Sequence, residues 1–131
     1  MTMTILICIP CLMTGGTEIQ TLNLVRALVA GGHQVVTTCY FEYSDDMVVR
    51  FQKVGSEVVC LSSAGTRVNG WLGILFLYKG LRRVLKLHKP DVAHVQYMAP
   101  GAIPILLLRW LGVRQIITTA HTAADIYPNL R

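Results

Sequence analysis

Charged side chains are scarce in this sequence, and the composition excludes several classes of protein. Of its 131 residues only 15% are charged, whereas 53% are hydrophobic, which is the opposite of the composition of disordered chains. A chain of this length fits one compact domain and leaves little room for a second. The formal net charge of +5 indicates an acidic partner surface or a phosphorylated ligand.

The sequence also lacks a disulfide framework, a membrane-spanning run and internal repeats. Its four cysteines do not form a set of spaced pairs, so we expect a reducing compartment. No uncharged apolar run reaches the roughly 20 residues that cross a bilayer, and residues 1–10 lack the basic leader and cleavage site of a signal peptide. We therefore expect a cytoplasmic protein, soluble or peripheral on the inner face of the membrane.

Short apolar runs alternate with stretches of helical periodicity along the chain. The predicted strands are residues 4–10, 33–40, 57–61, 91–96 and 115–120. Helices are predicted at about residues 18–30, 44–54, 71–89 and 100–111. Strands that alternate with helices of this length form a parallel sheet with right-handed crossovers. The pattern predicts an α/β fold, a doubly wound, Rossmann-like sheet of about five strands with helices on both faces, spanning residues 1–131 as a single domain.

Two adjacent glycines, Gly15 and Gly16, lie between the first predicted strand and the first predicted helix. Ligands of doubly wound sheets bind beyond the carboxyl ends of the strands. A glycine pair there lets the backbone approach a phosphate at a helix N-terminus. The pair belongs neither to the dinucleotide fingerprint G-x-G-x-x-G nor to a P-loop, so a tight turn without a ligand is the alternative. Glu18 follows in the first predicted turn, where a carboxylate favours the helix dipole.

The positions of the four histidines favour different roles. His121 follows the fifth predicted strand directly, a position from which an imidazole can donate to a bound oxygen or shuttle a proton; a structural loop histidine is the alternative. His94 lies inside the fourth strand, where a core histidine is the favoured interpretation, and Tyr97 follows at the strand's carboxyl end. We expect His33 and His88, near the ends of elements, to face solvent.

The predicted helix over residues 71–89 sorts its charges onto one face. At about 100° per residue, its basic residues fall in one arc and most of its apolar residues lie opposite. Four apolar residues begin the helix on or beside the basic arc. Such a face is typical of a helix on an anionic membrane surface, and an ordinary solvated face is the alternative. The basic residues are Lys79, Arg82, Arg83, Lys86 and Lys89; the four apolar residues are Trp71, Leu72, Leu75 and Phe76; and the opposite side holds Ile74, Leu77, Tyr78, Leu81, Val84, Leu85 and Leu87.

The sequence does not favour a nucleic-acid partner, a zinc site or a redox role. No basic-aromatic platform or known motif for binding nucleic acid accompanies the basic arc, so we expect no nucleic-acid partner. Cys8 and Cys11 form a C-x-x-C at a strand-to-helix junction, the position of a thioredoxin-type redox pair. Zinc would require a second pair of ligands, and none has suitable spacing. A redox domain is therefore the least favoured alternative.

Four motifs in the sequence together resemble one enzyme family. The chain reads GGTE at 15–18, GHQVV at 32–36, KPDVAHV at 89–95 and TTAHT at 118–122. These resemble the GG-x-E, GH-x-V, KPD-hydrophobic-x-H and T-x-H motifs of family-4-like (group 1) glycosyltransferases, which have two Rossmann-like domains (the GT-B fold). The resemblance covers almost the whole chain, in the family's order and spacing.

The resemblance implies a retaining glycosyltransferase, of which this chain is the N-terminal, acceptor-side half. Gly15 and Gly16 would face the diphosphate of a nucleotide-sugar donor, and His121 would be catalytic beside the donor sugar. Glu18, His94 and Tyr97 would line the site or the acceptor. The acceptor would be a glycolipid or a polysaccharide. No metal and no cofactor beyond the donor substrate is implied.

The resemblance also implies a second Rossmann-like domain that binds most of the donor, supplied in cis or in trans. We expect the chain to be C-terminally truncated relative to its family and inactive alone. The membrane-facing residues would be Trp71, Lys79, Arg82, Arg83 and Lys86, which match an acceptor-domain helix that some members use to reach lipid-linked acceptors. A non-catalytic membrane-docking subunit of a split glycosyltransferase is the alternative.

Overall fold

The computed structural model describes residues 2–13, 15–62, 70–97 and 102–120. Strands and helices alternate through these residues, and all the strands are parallel, in the order β3-β2-β1-β4-β5. This confirms the predicted doubly wound, Rossmann-like α/β fold. The elements are β1 (Thr4–Ile9), α1 (Gly16–Ala30), β2 (Gln34–Cys39), α2 (Asp45–Lys53), β3 (Glu57–Cys60), α3 (Gly70–His88), β4 (Val92–Tyr97), α4 (Ile103–Trp110) and β5 (Gln115–Ala120).

A separate hydrophobic core covers each face of the sheet. Successive strand residues point to opposite faces, so β1 contributes to both cores and is buried from Ile5 to Ile9. Burial of each such aliphatic or aromatic side chain stabilises the fold by about 1.5–3 kcal/mol. Helices must cover both faces of the sheet because the central strands are apolar on both sides. The core under α3 and α4 includes Leu6, Cys8, Leu77, Leu81, Val84 and Leu108. The core under α1 and α2 includes Ile7, Ile9, Leu22, Val25, Met47 and Phe51.

Local chemistry explains where the second helix begins and ends. The Ser44 side chain accepts a hydrogen bond from the Met47 amide at 3.2 Å, which caps the N-terminus of α2. Asp45 and Asp46 follow in the first turn, where carboxylates favour the helix dipole. The turn after α2 contains Gly55 at φ +108°, a left-handed conformation that glycine adopts without steric cost. The predicted boundaries of this helix, residues 44–54, are confirmed to within one residue.

The first helix begins earlier than the sequence predicts. Gly15 is the N-cap and Gly16 the first helical residue, two positions ahead of the predicted start. The Ile19 amide donates to the Gly15 carbonyl at 3.1 Å, so the glycine pair is part of the helix start and not a loop before it. Sequence periodicity misses this because glycine adds no apolar side chain to the pattern.

Polar contacts at the amino edge of the sheet fix the position of β1. The Thr4 amide donates to Asp91 Oδ2 at 2.8 Å, and the Asp91 amide donates to the Thr4 carbonyl at 2.7 Å. On the other side of β1, the Met3 amide donates to His33 Nδ1 at 3.1 Å. These contacts join β1 to the residues that open β4 and β2.

The expectation that His88 faces solvent is wrong, and His33 is half-buried. His33 accepts the hydrogen bond from Met3 just described. His88 Nε2 lies 2.9 Å from Glu57 Oε2, and its side chain is only 15% exposed. The end of α3 returns to the start of β3, so a histidine at a helix terminus meets the sheet instead of water.

Candidate functional site

The reversal of strand order creates a crevice at the carboxyl edge of the sheet. The chain runs from β1 outward through β2 and β3, then crosses to the other side of β1 to form β4 and β5. The carboxyl ends of β1 and β4 therefore lie side by side, while α1 and α4 cover opposite faces of the sheet, and open α/β sheets bind ligands at such a point. Gly15 and Gly16 follow β1 at this crevice, and Gln96 and Tyr97 end β4.

The segment between β1 and α1 is hydrogen-bonded to residues 40–44, which follow β2. We call residues 40–44 the strap. The Leu12 amide donates to the Glu42 carbonyl at 2.9 Å, and the Ser44 amide donates to the Leu12 carbonyl at 2.9 Å. Leu12 is also fully buried. Backbone pairing therefore continues beyond the strand ends and fixes the path of the chain as it approaches the glycine pair.

Glu18 packs against Gly15 and hydrogen-bonds to the loop that precedes the glycine pair. Its side chain is 6% exposed, and its Oε2 accepts a hydrogen bond from the Met13 amide at 3.2 Å and one from the Cys11 thiol at 3.5 Å. A Cβ added to Gly15 would stand 2.9 Å from Glu18 Oε1. The carboxylate therefore requires glycine at position 15, and its polar contacts are to this chain's own loop.

The N-terminus of α1 has backbone amides that are not used by the hydrogen bonds of the helix itself. The amides ahead of Ile19 in the first turn have no acceptor within the helix, and Gly15, the N-cap, supplies no side-chain cap. Within the described part of the chain, a Cβ added to Gly16 would meet no atom within 4 Å. Free amides and the positive end of the helix dipole suit a phosphate group, and the open side of Gly16 leaves room for it.

Polar residues of β4 lie on the face of the sheet that α1 and α2 cover. His94 is half-buried and is the register partner of Ile7 in β1 and Ile117 in β5. Gln96 shares this face two residues nearer the crevice and is 3% exposed. Sequence reasoning did not single out Gln96, although a polar residue near the carboxyl end of an apolar strand is a usable signal.

Two of the sequence-predicted site residues are only partly visible or lie outside the described residues. The backbone of Tyr97 ends β4, and its side chain is not among those described. His121 lies outside the described residues, immediately after β5, which ends at Ala120. The structure brings Gly15, Gly16 and the end of β4 to one crevice, and the role of His121 stays a prediction.

The basic face predicted for α3 is exposed. Lys79, Arg82, Arg83 and Lys86 are all exposed. Together with Leu87 they line an open groove of about 610 Å³. Leu87 was expected on the buried side of α3 but is 74% exposed, because at about 100° per residue it lies at the edge of the buried stripe, next to Arg83 of the basic face.

Apolar residues at the N-terminus of α3 are exposed as well. Trp71 is 80% exposed, Leu72 71% and Leu75 50%, so the core covers none of them fully. Phe76, by contrast, is half-buried and stacks on Phe41 of the strap, with ring centroids 6.2 Å apart and an interplanar angle of 19°. Because α3 follows β3, its N-terminus lies at the carboxyl edge of the sheet, the same edge as the crevice.

The cysteine pair Cys8 and Cys11 does not have the properties of a redox pair. Burial raises the pKa of Cys8 to about 12, against a smaller opposing effect of a hydrogen bond with Tyr40. Burial also raises the pKa of Cys11 to about 11, and the carboxylate of Glu18 adds to the shift. A catalytic C-x-x-C needs a depressed thiol pKa, so both shifts have the wrong direction.

Two absences concern residues 2–13, 15–62, 70–97 and 102–120. In these ranges no group of three or more histidine, cysteine, aspartate or glutamate residues is arranged to hold a metal ion. No helix in them is long and apolar enough to cross a membrane.

Comparison with protein families identifies the chain. A model of the glycosyl transferase 4-like domain matches residues 15–130, which is most of the sequence. The chain belongs to the glycosyl transferase 4-like family. None of the curated proteins matches it.

Several crystal structures of glycosyltransferases share the fold. A glycosyltransferase from Rickettsia africae ESF-5 is 17% identical with a TM-score of 0.67, over 96% of this chain and 33% of that one. The glycosyltransferase of kitacinnamycin is 18% identical with a TM-score of 0.60, over 98% of this chain and 34% of that one. CalG4, the calicheamicin glycosyltransferase, is 16% identical with a TM-score of 0.58, over 98% of this chain and 36% of that one. The chain thus spans about a third of the length of these structures, and the likeness establishes a GT-B type fold.

The family motifs divide between the two edges of the sheet. His33 of the GH-x-V motif and Asp91 of the KPD motif hold the amino end of β1, so their contacts are structural. The GGTE motif at residues 15–18 lies at the carboxyl edge, where the crevice is. Of the described motifs, the glycine motif is therefore the one whose position suits ligand binding.

Proposed function

We propose that this chain is the N-terminal, acceptor-side domain of a retaining glycosyltransferase that moves a sugar from a nucleotide-sugar donor to a glycolipid or polysaccharide acceptor. The observation that carries the proposal is the uncapped N-terminus of α1 at the β1–β4 crevice, with Gly16 open on the ligand side. Membership of the glycosyl transferase 4-like family supports it.

The chemistry required of this domain is stabilisation of charge on a leaving group. When the bond between sugar and diphosphate breaks, negative charge grows on the phosphate oxygens. Free amides at Gly16 and Thr17, and the dipole of α1, are fixed donors for that charge before the reaction begins. Glu18 keeps them in position by holding the Met13 amide. The diphosphate itself is bound mainly by a second Rossmann-like domain, in cis or in trans.

His121 is assigned the catalytic position beside the donor sugar, and Glu18, His94 and Tyr97 are assigned to the lining of the site. The support for His121 is its position in the sequence directly after β5, one strand away from β4 in the sheet. An imidazole there can donate a hydrogen bond to a sugar hydroxyl or exchange a proton with the acceptor.

The experiment is a transfer assay on the chain together with a donor-binding Rossmann-like domain. A panel of radiolabelled nucleotide-sugars is offered with lipid extract or polysaccharide as acceptor. We expect transfer from at least one donor, with retention of anomeric configuration, and a loss of about 10²–10⁴-fold for His121→Ala. Full activity of a folded His121→Ala protein removes the assigned role of that residue, and transfer from no donor contradicts the function.

A second candidate is a non-catalytic subunit that docks a split glycosyltransferase on an anionic membrane. Exposed Trp71, Leu72 and Leu75 next to the basic groove of α3 favour it specifically. Apolar side chains at a helix end and basic residues along it suit an interfacial helix, and each basic residue near an anionic surface contributes about 1 kcal/mol.

Sedimentation with lipid vesicles tests the second candidate. Binding to vesicles that contain phosphatidylglycerol should weaken with salt, and the triple change Arg82→Glu, Arg83→Glu, Lys86→Glu should weaken it at least about tenfold. The matched control reverses Arg26 and Arg50, which are exposed on α1 and α2, and should bind as the unchanged chain does. Equal binding to vesicles of phosphatidylcholine alone, or no binding, rejects docking.

A further inference from the structure

Two cysteines face each other at the carboxyl ends of neighbouring strands. Cys39 ends β2, Cys60 ends β3, and the two are register partners. Paired strands lie about 4.8 Å apart, within the range of about 4.4–6.8 Å between the Cα atoms of a disulfide. Both side chains are on the face covered by α1 and α2, where Cys39 is in the core and Cys60 packs against it. Cys8 belongs to the core on the opposite face.

The two thiols differ in access. Cys39 is fully buried, whereas Cys60 is half-buried. The neighbouring Cys39 thiol lowers the pKa of Cys60, against opposing effects of burial and of the Asp45 carboxylate. The half-buried thiol therefore has the character of an attacking nucleophile, with a second thiol next to it.

We propose that Cys39 and Cys60 form a reversible disulfide when the protein meets a low-molecular-weight disulfide such as oxidised glutathione. The Cys60 thiolate attacks one glutathione sulfur, and the other glutathione leaves as a thiolate. Cys39 then attacks the Cys60 sulfur, which releases the second glutathione, and the thiol proton of Cys39 passes to the departing glutathione thiolate. Two protein thiols are oxidised and one glutathione disulfide is reduced to two thiols.

The pair is connected to the crevice through the strap. The Cys39 sulfur lies 3.3 Å from the Glu42 carbonyl, to which its thiol donates. The same carbonyl accepts the Leu12 amide at 2.9 Å. Disulfide formation removes the thiol proton, and with it the sulfur contact that holds the strap. Oxidation therefore acts on the segment that fixes the path of the chain toward Gly15, and does so independently of whether the chain is part of a transferase.

Peptide mapping tests the proposal because trypsin separates the cysteines. Cleavage after arginine and lysine leaves Cys8 and Cys11 together in peptide 1–26, Cys39 in peptide 27–50 and Cys60 in peptide 54–67. The folded chain is incubated with oxidised and reduced glutathione at graded ratios, free thiols are alkylated, and the digest is weighed by mass spectrometry. We expect peptides 27–50 and 54–67 joined, lighter than their sum by two hydrogens, and released by excess reduced glutathione.

Single variants make the result specific. Cys11→Ser and Cys8→Ser should leave the joined peptides unchanged, and Cys60→Ser should abolish them. Amide hydrogen exchange at Leu12 should rise at least about threefold in the oxidised Cys11→Ser protein, since a weakened strap opens more often. A bridge between peptides 1–26 and 27–50, a stable glutathione adduct on Cys60 with Cys39 still free, or bridging only in denaturant would each overturn the proposal.

Discussion

The carboxylate of Glu18 occupies the space where a side chain on Gly15 would stand, with Oε1 only 2.9 Å from the position of an added Cβ. The neighbouring Gly16 has no such constraint among the described residues. One glycine of the pair is thus required by packing within the protein, and the other is free to face a ligand.

Alanine at each glycine separates these roles. Gly15→Ala should push Glu18 away from the Met13 amide and lower the free energy of unfolding by about 1–2 kcal/mol, as loss of a buried hydrogen bond does. Gly16→Ala should leave stability unchanged or raise it slightly, because alanine is the better helix former. Urea unfolding of the two variants checks both values, and equal stability of the two would contradict the packing assigned to Glu18.

A glycine within α3 allows the close approach of that helix to β3. A Cβ on Gly80 would lie 2.7 Å from Leu61 Cδ1 and 2.9 Å from Leu61 Cδ2, and Leu61 is 7% exposed. Gly80→Ala should destabilise the domain by about 1–2 kcal/mol, because overpacking of a core costs about 1–3 kcal/mol and exceeds the gain of about 1 kcal/mol in helix propensity. Thermal or urea unfolding measures the change.

The control for Gly80 uses its neighbour. In a Leu61→Val background the larger side chain is gone, so the same Gly80→Ala change should cost less. Stabilisation by Gly80→Ala in the unchanged protein would show that propensity outweighs packing, and would contradict the close contact.

The buried thiol of Cys8 predicts a loss of stability in alkali. Burial raises its pKa from 9.0 to about 12, so the unfolded chain loses the proton first as pH rises. The stabilisation is complete below about pH 9 and declines above it, reaching a loss of about 2 kcal/mol near pH 10.5 from this group. Urea unfolding from about pH 8 to about pH 10.5 should show a shallower decline in Cys8→Ala than in the unchanged protein. Parallel declines would contradict the burial assigned to this thiol.

Local sequence patterns predict most of the fold but less of the candidate site. The β-branched runs and the Ser44 cap determine elements within a few residues, because strand alternation and capping act over short distances. The contacts of Glu18 with Met13, and of Leu12 with Glu42, depend on how separate segments meet. Helical or strand periodicity does not predict such contacts, and it placed Leu87 on the buried side of α3, where the structure shows an exposed side chain.

Charge sorting along α3 illustrates the other limit. Helical periodicity correctly identified Lys79, Arg82, Arg83 and Lys86 as one exposed face, because the angle between successive residues is fixed. It also indicated that the core leaves Trp71 and its neighbours exposed. A partner molecule determines what contacts that surface, and the sequence of one chain does not identify the partner.

In the proposed function, the amides at the N-terminus of α1 bind the phosphate groups of a donor. The most direct measurement is a titration of the ¹⁵N-labelled chain, in complex with an unlabelled donor-binding Rossmann-like domain, with pyrophosphate and with nucleoside diphosphates, followed by amide chemical shifts. We expect saturable shifts concentrated at Gly15, Gly16 and Thr17, weakened by Gly16→Val and unaffected by reversal of Arg82 and Arg83. Shifts confined to the basic groove of α3, or unchanged by Gly16→Val, would contradict it.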